Sequence, residues 1–156
     1  MTAATTVTAT FTLSTSTGGN TIAIAGGDYH TIALRSDGTV WAWGDNTFGQ
    51  LGDGTFVDKS LPVQVGGNTP ITGVIAIAGG YGHSLALKSD GTVWAWGYNG
   101  SGQLDDGTTT NRSLPVQVGG ATPITGVIAI AGGGNYSLAL RSDGTVWAWG
   151  DNTFGQ

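Results

Sequence analysis

The sequence predicts an all-β fold made of sheets of four short antiparallel strands, one sheet for each copy of a tandem repeat. Three observations carry this. The segment from Ile22 to Val74 is followed by a near-copy from Ile75 to Val127, and a third copy starts at Ile128 and runs to Gln156; Trp41, Trp94 and Trp147 recur every 53 residues, as do Gln50, Gln103 and Gln156. Each copy is a series of short alternating apolar runs bounded by Gly, Asp, Ser and Asn, the pattern of half-buried strands and tight turns. No helical period appears anywhere. An array of this kind builds its core by stacking units, so function is to be sought in what differs between copies.

The elements of the first copy follow in order. Ile22-Ala23-Ile24-Ala25, closed by Gly26-Gly27, reads as a first strand, and Thr31-Ile32-Ala33-Leu34-Arg35 as a second. Ser36-Asp37-Gly38-Thr39 then turns the chain into Val40-Trp41-Ala42-Trp43, and recurs at 89–92 and 142–145; Gly supplies the positive φ that such a hairpin requires. Alternation in the third strand puts Trp41 and Trp43 on one face and Val40 and Ala42 on the other. A glycine-rich stretch, Gly44 to Gly54, leads to Ser60-Leu61-Pro62-Val63-Gln64-Val65. Proline cannot donate to a ladder, so this fourth strand belongs at a sheet edge. Four such strands in about 50 residues describe a propeller blade. Ala23, Ala25, Gly26 and Gly27 suit a crowded inner strand near the axis, and the tryptophans are expected to fill the wider space between blades. Trp41, Trp43, Trp94, Trp96, Trp147 and Trp149 are therefore read as structural.

Trp-Ala-Trp-Gly followed by Asn46, Gly49, Gln50, Leu51, Gly52, Asp53 and Gly54 resembles the signature of the regulator of chromosome condensation repeat family. His83 before its Leu-Ala-Leu run, the Asp-Gly turn and Arg112-Ser113-Leu114-Pro115 extend the resemblance over residues 22–156. It implies a seven-bladed propeller. This chain holds about three blades: repeat 1 at 22–74, repeat 2 at 75–127, and repeat 3 at 128–156, which stops before its edge strand. The expectation is a piece of a longer ring, since four to eight blades at this period take roughly 210 to 420 residues. Residues 1–21 stand outside the period. Thr6 to Leu13 alternates like a strand and resembles the closing strand of bacterial surface modules of the internalin B type, with Ser14 to Thr21 as linker; equally, residues 7–13 could complete a blade.

Composition excludes several classes. With 5 Lys and Arg against 10 acidic residues and a net charge of −5, there is little from which to build a groove for a phosphate backbone, so nucleic acid is not an expected partner. The absence of cysteine removes disulfides, thiolate metal sites and cysteine nucleophiles. No apolar run approaches the roughly 18 residues of a membrane span, and no signal peptide opens the chain. No glycine-rich loop precedes a helix, so no phosphate cradle is expected, and no Gly-x-Ser-x-Gly elbow occurs. No catalytic residue, cofactor or metal is expected.

The two full copies differ at Asp28-Tyr29 against Tyr81-Gly82, at Asp45, Thr47 and Phe48 against Tyr98, Gly100 and Ser101, and at Phe56 to Lys59 against Thr109 to Arg112. Loops that vary on a fixed scaffold can form a recognition surface; unconstrained drift of exposed loops would give the same pattern. Candidate partner-binding residues are accordingly Asp28, Tyr29 and His30; Tyr81 and His83; Asn135 and Tyr136; Asp45, Phe48 and Tyr98; and Phe56, Asp58, Lys59, Asn111 and Arg112. His30 and His83 are replaced by Tyr136 in the third copy, which suits a side chain that caps a strand or bonds a neighbouring loop better than a metal ligand. Asp53-Gly54-Thr55 and Asp105-Asp106-Gly107-Thr108 lack the spaced carboxylates of a calcium loop and read as Asx turns.

The leading expectation is a non-catalytic protein-binding or scaffold module of an exported bacterial repeat protein, extracellular or at the cell surface, gripping its partner through loops on the propeller rim. Three alternatives stand beside it: a guanine-nucleotide exchange or chromatin-associated propeller, as in the family's namesake; an enzyme with a site in the central channel; and a structural array with no selected ligand. Self-association is also expected, because the third copy presents Trp147 and Trp149 on a face with no following blade to cover it.

Overall fold

The computed structural model describes residues 19–156, so the two readings of Thr6 to Leu13 lie outside the described residues. The architecture is all-β. In the first blade the strands are β1 (Thr21–Gly26), β2 (His30–Arg35), β3 (Val40–Gly44) and β4 (Lys59–Gln64). The second blade repeats them as β5 (Val74–Gly79), β6 (His83–Lys88), β7 (Val93–Gly97) and β8 (Arg112–Gln117). The third contributes β9 (Val127–Gly132), β10 (Tyr136–Arg141) and β11 (Val146–Gly150). Each sheet is antiparallel with strands in chain order, four in the first two sheets and three in the last.

Local chemistry accounts for this order. At the β2–β3 hairpin Asp37 Oδ1 accepts from Thr39 N (3.0 Å) and Thr39 Oγ1 (2.6 Å), while Gly38, at φ 76°, donates its N–H to Arg35 O. Asp90 and Asp143 do the same. Hydrogen bonds from Thr39 and from the Gly19 N–H hold the Asp37 carboxyl down to about 2. The proline-bearing strands β4 and β8 lie at sheet edges, where a missing N–H costs no ladder bond.

The inner strands crowd one another: a Cβ on Gly79 would lie 2.6 Å from Gly26 O, so only glycine lets β5 approach β1 this closely.

Two cores lie between sheets. In the first, Ile32, Leu34, Val40, Ala42, Leu51 and Val65 of blade 1 pack against Ala86 and Trp96 of blade 2. In the second, Leu85, Leu87, Val93, Ala95, Leu104 and Val118 of blade 2 pack against Ala139 and Trp149 of blade 3. Each blade thus has an aliphatic rear face and a tryptophan-bearing front face, and the front of one closes on the rear of its predecessor.

This corrects the expectation for the third copy. Trp149 looks back onto blade 2, and the uncovered face of blade 3 is the aliphatic one.

Candidate partner-binding loops and the blade junctions

The loops joining β1 to β2 and β3 to β4, with their equivalents, leave the sheets at one end; the Ser-Asp-Gly-Thr hairpins leave at the other. Charge is divided unevenly between the ends. All ten acidic residues are aspartates, and seven of them (Asp28, Asp45, Asp53, Asp58, Asp105, Asp106 and Asp151) lie in loops of the first end, which themselves contain no Lys or Arg. The cations nearest in sequence, Lys59 and Arg112, open β4 and β8 and are engaged: Lys59 Nζ lies 3.5 Å from Asp53, and Arg112 Nη2 lies 2.6 Å from Asp106. At the hairpin end, Asp37, Asp90 and Asp143 are matched one for one by Arg35, Lys88 and Arg141, which stack on Trp41, Trp94 and Trp147 at 5.7 Å. The whole net charge therefore sits at the loop end.

The scaffold of these loops is a buried asparagine. Asn46 Nδ2 donates to Asp53 Oδ1, Thr55 O and Val57 O, and its Oδ1 accepts from Leu51 N. Asn99 makes the equivalent set with Asp106, Thr108, Thr110 and Leu104. The last turn of each loop is pinned by Asp58 Oδ1 accepting from Asn46 N, or Asn111 Oδ1 from Asn99 N. Asp58 and Asn111 are thus tied into the scaffold. Asp53 and Asp106 form the expected Asx turns, accepting from Thr55 and Thr108.

On this frame Asp28, Tyr29, Phe56 and Tyr81 are exposed, and Asn135 and Tyr136 are half-buried. Phe48 of blade 1 and Tyr98 of blade 2 meet across the blade boundary with ring centroids 4.9 Å apart. Burial works to raise the Asp45 carboxyl, but hydrogen bonds from Thr47 and Gln50 outweigh it and hold the group below the ordinary aspartate value.

His30 and His83 leave the candidate set. Both are buried at blade junctions, where His30 Nε2 lies 2.9 Å from Ser84 Oγ and His83 Nε2 lies 3.0 Å from Ser137 Oγ. Ser84 Oγ donates to Gln50 O at 2.8 Å, and Ser137 Oγ to Gln103 O at 2.9 Å. With its one proton given to glutamine, each serine must accept from the histidine, so both imidazoles are neutral Nε2–H tautomers. Trp96 Nε1 and Trp149 Nε1 donate to the same Gln50 and Gln103 carbonyls at 2.9 Å. Desolvation lowers both imidazoles to about 4, against a partial upward pull from Asp45 and Asp28 on His30 and a further downward push from His30 on His83.

In the sequence Asn46 stands out only as part of the repeat signature, and Ser84 and Ser137 do not stand out at all. Their signal was available: Asn46, Asn99 and Asn152 are identical in the three copies, and Thr31, Ser84 and Ser137 all carry a hydroxyl.

Comparison with known proteins agrees with the geometry. Two models of the regulator of chromosome condensation (RCC1) repeat match the chain, one at residues 37–87 and 90–140, the other at 22–50, 74–103 and 127–156. The human E3 ubiquitin-protein ligase HERC2 is 37% identical over 135 residues, 86% of this chain and 3% of that protein. The Arabidopsis thaliana ultraviolet-B receptor UVR8 is 35% identical over 145 residues, 91% of this chain and 32% of the receptor. Among solved structures, human WBSCR16 superposes with a TM-score of 0.75 at 30% identity, covering 85% of this chain and 33% of the other. Yeast RCC1 (Prp20), seen bound to Kap60, gives 0.69 at 26%, covering 85% and 32%. Prp20p of Saccharomyces cerevisiae has also been described for its binding to Gsp1p and histones. The chain spans about a third or less of each of these relatives.

Proposed function

From the premise that the chain belongs to the RCC1 repeat family, we propose that it is a non-catalytic recognition module that grips a basic protein surface through the loops at its acidic end. The observation that carries this reading is the segregation of charge: seven aspartates and no cation in the loops of one end, with the other end balanced. Exposed Tyr29 and Tyr81 stand among those carboxylates, and aromatic faces beside acids suit Lys and Arg side chains by both cation–π and ionic attraction.

A second observation supports recognition over drift. In blade 1 Gln50 Nε2 donates to Asp45; in blade 2 Tyr98 replaces that aspartate, and the buried Gln103 Nε2 has no partner among the described residues. An unpaired buried amide costs about 1–3 kcal/mol, a burden more easily kept where the tyrosine serves the loop surface.

Export and display at a cell surface are part of the same proposal. They are supported by a surface rich in Thr, Ser and Asn with few charges and by the resemblance of Thr6 to Leu13 to surface modules.

Fluorescence anisotropy with a labelled Lys/Arg-rich peptide, with core histones as competitor, tests the reading. Binding is expected to weaken steeply with salt and by about tenfold, roughly 1.4 kcal/mol, in the Asp28→Asn/Tyr29→Ala variant. Undetectable binding of the peptide, or binding indifferent to that variant, refutes it.

A further inference from the structure

Asn99 and Gly100 form the one Asn-Gly pair in the sequence; the same hub asparagine is followed by Thr47 in blade 1 and by Thr153 in blade 3. The ring of Tyr98 accounts for the glycine. A Cβ on Gly100 would lie 2.6 Å from Tyr98 Cζ, so with Tyr98 in this rotamer there is no room for a threonine, and the exchange of Asp45 for Tyr98 comes with the exchange of Thr47 for Gly100. An asparagine before glycine is prone to cyclise, because no Cβ keeps the following backbone nitrogen away from the side-chain carbon. In the folded chain that attack is blocked. Asn99 is fully buried. Its Nδ2 donates to Asp106 Oδ1 (3.2 Å), Thr108 O (3.0 Å) and Thr110 O (3.1 Å), and its Oδ1 accepts from Leu104 N (3.0 Å). Its backbone N–H donates to Asn111 Oδ1 at 2.9 Å. The amide is committed on both its atoms, and turning its carbon toward Gly100 N would break these contacts together.

We propose that Asn99-Gly100 is a modification site gated by unfolding, at which each opening of blade 2 exposes Asn99 to irreversible deamidation. The Gly100 nitrogen attacks Asn99 Cγ, a new N–Cγ bond forms, the Cγ–Nδ2 bond breaks and ammonia leaves. Water then opens the succinimide at either of its carbonyls, giving aspartate or isoaspartate; no oxidant, cofactor or second protein takes part. The product cannot resume the place of the asparagine. A carboxylate oxygen where Nδ2 stood faces Asp106 Oδ1 and the Thr108 and Thr110 carbonyls with no proton to give, and a buried charge among acceptors is left uncompensated. Isoaspartate also lengthens the main chain by a methylene. The damage spreads inward, because Leu104, held by the same amide, packs in the second core with Leu85, Val93 and Ala139. Asn46 and Asn152 are spared, since each precedes a threonine whose branched Cβ obstructs the attack. The tyrosine that distinguishes the loop of blade 2 thus brings with it a record of unfolding that the other two hubs do not keep.

The experiment holds the full chain at mildly alkaline pH with and without unfolding concentrations of urea. At intervals samples are returned to buffer, refolding is read by circular dichroism, and peptide masses locate each amide converted to an acid. In urea Asn99 should convert ahead of Asn46, Asn152 and every other asparagine, and refoldable chain should be lost in step with it. Without urea conversion should slow by about tenfold or more, because folding keeps the open state rare. The Asp-Gly turns can cyclise through the same ring but regain the water they lose, so they leave the mass unchanged. Tyr98→Asp/Gly100→Thr rebuilds the blade 1 sequence around Asn99 and retains those turns; it should refold after the same exposure. Gly100→Ala, read in the same way, replaces it if that variant does not fold at the outset. Asn99→Asp should fail to regain the β-sheet spectrum of the unmodified chain. Conversion of Asn99 as fast without urea as with it, conversion no faster than at Asn46, an Asn99→Asp chain that folds like the original, or an equal loss of refolding in the loop variant overturns the proposal.

Discussion

Asp105 occupies, at φ 47°, the position that Gly52 takes at φ 67° one repeat earlier, and it alone among the described non-glycine residues has a positive φ. A left-handed conformation costs a non-glycine residue about 1 kcal/mol or more, with Asp among the better tolerated. Desolvation, and then the neighbouring charge of Asp106, raise its carboxyl above the ordinary value. A raised folded-state value means that the protonated form is favoured on folding: the contribution to stability is full below the unfolded value and is lost as pH rises through the folded one. Asp105→Gly is therefore expected to stabilise by about 1 kcal/mol at neutral pH, and by less in acid, read from urea midpoints at both. The reverse change one repeat earlier should be harmful. A Cβ at Gly52 would lie 2.8 Å from Trp96 Cδ1 and 2.9 Å from Val65 Cγ1, so Gly52→Asp should cost at least about 2 kcal/mol through overpacking. Equal and opposite shifts would show that only the backbone, not the packing under Trp96, matters at this position.

At the scale of the element, the junction between sheets decides what each side chain does. Trp96 is fully buried and donates to Gln50 O, while Trp94, in the same strand, is half-buried against Lys88 and lines a cavity of about 290 Å³ with Pro70 and Pro115. Trp96→Ala should thus cost about 3–5 kcal/mol and Trp94→Ala distinctly less, with thermal unfolding as the measure. The histidines give the junction a pH dependence. Their folded values, about 4 against 6.5, are depressed, so their contribution is present above 6.5 and is lost as pH falls toward 4. Each shift corresponds to about 3 kcal/mol; stability should fall through that window, and His83→Tyr, the residue of the third copy, should flatten the fall. The strands, the Asp-Gly hairpins and the edge position of Pro62 and Pro115 were legible in the sequence because each is a local preference. The separate fates of Trp94 and Trp96, and the burial of His30, were not legible, because they depend on which face of a blade meets the next sheet, and alternation along one strand does not say which side the neighbour occupies.

For the whole molecule, stability in a stacked array is a sum of blade terms and junction terms, and the three blades do not share the junctions equally. Blade 2 is closed on both faces, with Leu85, Leu87, Val93 and Trp96 all at 0–1% exposure. Blade 1 is closed only at its rear. Blade 3 is closed only at its front and has three strands where the others have four, so no neighbouring strand pairs with the outer edge of β11 among the described residues and Trp147 is 51% exposed. Local opening free energies should follow the same order, since regions with fewer buried apolar contacts open more cheaply than the global unfolding. Hydrogen exchange is expected to find amides of β6 and β7 most protected, those of β2 and β3 next, and those of β11 least. Uniform protection across the three blades would mean that the sheets open together and that the junctions carry no separable share of the stability.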